Sequence, residues 1–164
     1  MTMSKIITAQ QAADMVRDQD VIVFSVDSLV GYPKELMTAV RDRFRKTGHP
    51  SDITTLRASG FGTFAESDDA EAVFCEDGLL KRSISSYITV CPELQKAIEN
   101  NKVQGYMFPM GPILQLYSAV GRGMKGVLSK VGLGTFMDAR YDGGKCNELT
   151  KQQGEDLVEY VPDF

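Results

Sequence analysis

The chain is poor in the residues that make most sites easy to find. It has a single histidine, His49, in the stretch KTGHP. That stretch reads as a turn after a helix, a poor place to orient a base. A Ser-His-Asp triad and a histidine-rich metal site are therefore not expected. The three cysteines, Cys75, Cys91 and Cys146, are odd in number and far apart, with no metal-ligand spacing. They read as reduced thiols. Basic surplus is absent too: the net charge is −4, so neither nucleic acid nor an anionic membrane is expected as a partner. No apolar run approaches the length that spans a bilayer. The start, MTMSKIITAQQ, lacks the apolar core of a signal peptide, so the expected location is the cytoplasm. There are no internal repeats and no low-complexity linker.

What remains is an ordinary globular composition. Apolar residues make up 43% and charged residues 24% of 164, enough for one domain with a real core. Thr8-Ala9-Gln10-Gln11 fits a capping box, with a helix running to about Arg17. Val21-Ile22-Val23-Phe24 is a continuous apolar run, the pattern of a strand covered on both faces of a parallel sheet. A small, polar loop follows it. Pro33 then fits the first position of a helix that carries Leu36, Met37, Val40 and Phe44 at helical spacing and stops at Gly48-His49-Pro50.

Ile53 to Ala58 reads as a second strand, leading into the glycine-rich Ser59-Gly60-Phe61-Gly62. The acidic positions Glu66, Asp68, Asp69, Glu71 and Glu76 lack the glycine-kinked spacing of a cation loop. They read as a solvated helix start. Arg82 to Ile88 is the third strand, Pro92 opens a helix with Leu94, Ala97 and Ile98 inward, and Val103 to Phe108 is the fourth strand. A helix over about Ile113 to Val120 follows. Strands alternating with helices give an α/β class with a mainly parallel sheet. In such sheets ligands collect at the carboxyl ends of the strands. The loop after Phe24 is therefore the first place to look for a site. Gly121-Arg122-Gly123-Met124-Lys125-Gly126 spells G-x-G-x-x-G, but a helix precedes it and the strand-like Val127-Leu128 follows. That reverses the dinucleotide-binding context, and the glycines read as loop glycines.

Several blocks resemble one family. ITAQQAADMV, GLLKRSI, VGLGTFMDAR and GGKCN occur in the order found in the family I CoA-transferases, the acetate, propionate and acetoacetate group. The resemblance covers nearly the whole chain, and VGLGTFMDAR is its most specific block. It implies a three-layer α/β/α CoA-transferase-like domain with a mainly parallel sheet, incomplete here. The matched part is the N-terminal part of the α half, and the catalytic β half is absent. Family members move CoA from an acyl-CoA to a carboxylic acid in ping-pong fashion, through a glutamyl-CoA thioester. No glutamate here matches that nucleophile, so no catalytic residue is expected in this chain, and the chain alone is expected to be inactive.

The resemblance, together with the place of these stretches after predicted strands, makes Ser25, Val26, Asp27, Gly31, Gly60, Phe61, Gly62, Met110 and Gly111 the candidates for a substrate or acyl-CoA pocket. Two departures fall within that set. The family's frame of acidic residue, strand, Gly-Gly-Phe loop, glycine and proline is kept as Asp18, Val21 to Phe24, Gly31 and Pro33, with Ser25-Val26-Asp27 in place of Gly-Gly-Phe. Met110 stands where many relatives have glutamine. The implied partners are an acyl-CoA, a small carboxylic acid and the C-terminal (β) half, and the complete enzyme is expected to be a homo-oligomer. Coenzyme A is a substrate, and no cofactor or metal is held permanently. The departures leave a second reading, a non-catalytic binding or assembly module of the same fold. A sugar-phosphate isomerase of similar architecture has no supporting motif. The strand-like Leu157 to Val161 near the terminus reads as an unpaired edge that can recruit another chain.

Overall fold

The computed structural model describes residues 6–26 and 30–162. Four parallel strands form one sheet in the order in which the chain makes them: β1 (Val21–Phe24), β2 (Ile53–Arg57), β3 (Leu80–Ser85) and β4 (Gln104–Met107). Helices α1 (Ala9–Ala13), α2 (Lys34–Thr47), α3 (Pro92–Glu99), α4 (Met110–Gly121) and α5 (Glu148–Gln153) surround it. A 3₁₀ turn at Ala70–Phe74 links β2 to β3. Each crossover steps to the next strand in the same direction. Right-handed crossovers therefore put α2, the 3₁₀ turn and α3 on one face. Met37, Val40, Val73, Phe74, Leu94 and Ile98 from these elements are buried in one apolar cluster with Phe24, Ile53 and Leu80.

Most local signals act as read. Thr8 and Gln11 form both halves of the capping box, although the helix they start ends at Ala13. Gly48 closes α2 in the left-handed region, its N–H donating to Phe44 O at 2.7 Å. Pro92 opens α3. Pro33 caps α2 from just outside the helix rather than starting it.

β1 is not covered on both faces. It is an edge strand: Phe24 is buried and Ile22 half-buried, while Val21 is 58% and Val23 52% exposed. A four-residue apolar run cannot report which neighbours the chain will supply. Leu157 to Val161 is not a strand either. The segment is irregular, and just before it Glu155 O accepts from Tyr106 at 2.8 Å. Val127-Leu128 likewise forms no strand.

The far edge of β4 is closed by residues 144–150. Met107 N–H donates to Gly144 O at 2.8 Å, Cys146 N–H to Gly105 O at 2.9 Å, and Gly105 N–H to Thr150 Oγ1 at 2.9 Å. Asn147 caps α5 and donates its amide to Ile98 O and Val103 O at 2.6 and 3.0 Å. No helix among the described residues is long and apolar enough to cross a membrane.

Candidate functional site

All four strands point the same way, so the segments leaving them share one edge of the sheet. After β1 come Ser25, exposed, and Val26, packed against the core. Asp27 lies outside the described residues. Gly31 is exposed at φ +74°, with open space where a Cβ would stand. After β4, Met110 begins α4 with 46% of its surface exposed, and Gly111 is open beside it. Met110 is thus not a core filler. Two turns further on, Tyr117 donates to Phe24 O at 3.2 Å, which returns α4 to the end of β1.

The glycine-rich loop after β2 is placed differently. Gly60, Phe61 and Gly62 are all buried. Phe61 packs against Phe24 and Tyr32, with ring centroids 5.6 and 5.4 Å away. A Cβ on Gly62 would stand 2.1 Å from Val90 O, so glycine is what lets the loop touch the lead-in to α3. This loop is a wall fixed from behind, while Ser25, Gly31, Met110 and Gly111 are open. Two cavities, of about 480 and 750 Å³, lie elsewhere. The first is lined by Cys75, Glu93 and Lys96, the second by Tyr141, Lys145 and Tyr160. Neither includes a residue of the expected pocket.

Sequence reasoning missed two clusters. Glu71, read as part of a solvated acidic run, is fully buried against Arg57, Nη1 to Oε2 at 2.5 Å. Its acidic neighbours do face water and pair with α2, Asp68 with Arg41 and Asp69 with Lys34. The second cluster is Asp138. Its carboxylate accepts from Gly134 N–H at 2.8 Å, Arg140 N–H at 3.0 Å and the Arg140 guanidinium at 2.6 and 3.0 Å. The guanidinium first, then those backbone N–H groups, hold it well below the usual carboxylate range. Arg140 in turn lies 4.2 Å over the Tyr160 ring. VGLGTFMDAR therefore has a structural account: one buried carboxylate ties a glycine loop to the C-terminal segment. His49 is a surface residue with its ring nitrogen 2.9 Å from Asp18. Among the described residues no group of acidic, histidine and cysteine side chains could hold a metal ion.

No protein-family model matches the sequence. Individual proteins do. The caffeate CoA-transferase of Acetobacterium woodii is 31% identical over 159 residues, 97% of this chain and 29% of that protein. By sequence the chain resembles the CoA-transferases. The acetate CoA-transferase YdiF of Escherichia coli K12 is 29% identical over 156 residues. A crystal structure of the acyl-CoA transferase YdiF from E. coli O157:H7, as a thioester complex with CoA, superposes on 94% of this chain with a TM-score of 0.84 at 29% identity. Fold and sequence thus give the CoA-transferase resemblance together. The chain spans only 29–30% of the length of these relatives.

Proposed function

We propose that this chain supplies one third of a short-chain acyl-CoA:carboxylate CoA-transferase of the acetate, propionate or acetoacetate type. The observation that carries the reading is the match along almost the whole chain, in sequence and in backbone, to proteins named for that chemistry. The resemblance supplies the mechanism. A glutamate in the part outside this chain attacks the acyl-CoA thioester, and CoA is held as a glutamyl thioester until an acceptor acid takes it. This third contributes walls and backbone donors. The N–H groups of the first turn of α4 have no partner within the helix, and α4 starts at the edge where an oxyanion would need such donors. Acyl-CoA and a small carboxylic acid are the substrates, the β half is the partner, and the complete protein works as a cytoplasmic homo-oligomer with no resident cofactor.

A second reading is favoured by one observation. Gly60, Phe61 and Gly62 are buried rather than open to a ligand, as they would be in an assembly module without chemistry. One experiment separates the two. The chain is assayed with acetyl-CoA and a labelled carboxylate, alone and joined to the two thirds of polypeptide that the relatives carry in addition. Transfer by the joined protein only is expected. Transfer by the chain alone overturns the reading that the nucleophile lies outside it, and a folded joined protein without transfer leaves the assembly module.

A further inference from the structure

The carboxyl end of β2 carries a feature that packing does not require. Arg57 and Glu71 have no exposed surface. Thr55 Oγ1 and Ser83 Oγ donate to Glu71 Oε1 at 2.6 and 3.2 Å, and Arg57 Nη1 donates to Ser83 Oγ at 3.0 Å. Arg57 Nε, Arg57 Nη2 and Ser85 Oγ are buried with no hydrogen-bond partner among the described residues. A buried ion pair is a weak source of stability, because desolvation offsets attraction, and apolar residues of the same volume often serve as well. Orphaned donors add to the cost. The pair therefore has a use other than filling the core.

Its place in the chain shows what it joins. Arg57 is the last residue of β2 and Glu71 the second of the 3₁₀ turn, so the pair ties the two ends of the loop that holds Ser59-Gly60-Phe61-Gly62. The far side of the loop is anchored to α2 and to Tyr32 just before it. Arg41 binds Asp68 at 2.7 Å, while Tyr32 and Lys34 bind Asp69 at 2.6 and 2.8 Å. The middle is held by Phe64 N–H donating to Val90 O at 2.8 Å. Ala70, just before Glu71, is in the left-handed region at φ +53°, a conformation that lasts only where its surroundings fix it. A guanidinium facing a carboxylate has directional demands that an aliphatic contact lacks. It selects one closure of the loop.

We propose that Arg57 and Glu71 are positioning residues that clasp the Ser59–Gly62 loop in one conformation at the carboxyl edge of the sheet. That the loop serves a transferase site rests on the CoA-transferase reading; the clasp itself does not.

The test is the double substitution Arg57→Met with Glu71→Leu. Thermal stability is expected to hold or rise, while exchange of the Phe64 and Ala70 amides quickens by about tenfold or more as the loop opens locally. In the joined transferase, kcat/KM is expected to fall about a hundredfold, as small misplacements at a site do. Glu71→Asp, which keeps the charge, is expected to lie between. Unchanged exchange in a folded double variant overturns the clasp. So does a double variant that fails to fold, since the pair would then be carrying the core. Faster exchange with unchanged kcat/KM keeps the clasp and removes the loop from the transferase site.

Discussion

Gly62→Ala is the sharpest single test of how the candidate site is built. The new Cβ would stand 2.1 Å from Val90 O, 2.6 Å from Val90 C and 2.9 Å from Cys91 N. All three neighbours are backbone, so no side chain can swing aside. Loop and α3 lead-in must separate by roughly 1 Å, since carbon and oxygen need about 3.2–3.5 Å. Separation also loosens the bond from Phe64 N–H to Val90 O. Overpacking costs about 1–3 kcal/mol and the hydrogen bond about 1 kcal/mol, together about 3 kcal/mol. For a chain of this size 1 kcal/mol moves Tm by about 2–4 °C, which predicts a drop of about 6–12 °C. Gly111→Ala is the control, because nothing lies within 4 Å of its Cβ position, on an exposed helical residue. It should stabilise by up to about 1 kcal/mol. Circular dichroism melts and urea titrations of both variants give the answer. A Gly62→Ala melt within about 2 °C of wild type would refute the close approach that makes this loop a fixed wall.

Three further outcomes are expected. Asp138 has a depressed pKa in the folded chain, so its contribution to stability is present above the ordinary carboxylate value of about 4 and is lost as pH falls below it. The urea midpoint of Asp138→Asn should lie below wild type at neutral pH and converge with it toward pH 2; a constant gap would contradict the arrangement. In the joined transferase, Met110→Gln should raise kcat/KM for 3-oxo acids relative to simple acids by about ten- to a hundredfold, because a glutamine can pair a substrate carbonyl that a thioether leaves unpaired. An unchanged ratio would place Met110 outside the pocket. Burial pushes the Cys146 thiol up to about 11, and the neighbouring Cys91 thiol together with burial raises that of Cys75. Cys91 is itself buried. Aromatic-disulfide titration at pH 8 should therefore be slow in the native chain and fast in urea, and rapid native labelling would refute this.

Local chemistry made much of the fold legible. The capping box at Thr8 and Gln11, the glycine at position 48 and Pro92 act within a turn of themselves, so they work the same way in any context. Strand–helix alternation fixed the parallel class, and four blocks of residues in the family's order carried the CoA-transferase resemblance. Tertiary structure decided the rest. The run Val21 to Phe24 reads as buried on both faces, yet the sheet puts it at an edge, because exposure depends on what other segments supply. Glu71 looks like its acidic neighbours Asp68 and Asp69. Only the pairing of β2 with β3, which brings Thr55, Arg57 and Ser83 to the face met by the 3₁₀ turn, lets its charge leave water. Burial of a charge depends on partners distant in sequence, and no pattern within the acidic run encodes them. The same holds for Gly60, Phe61 and Gly62. Their composition marks a loop, but only the approach of Val90 and Tyr32 makes that loop part of the core.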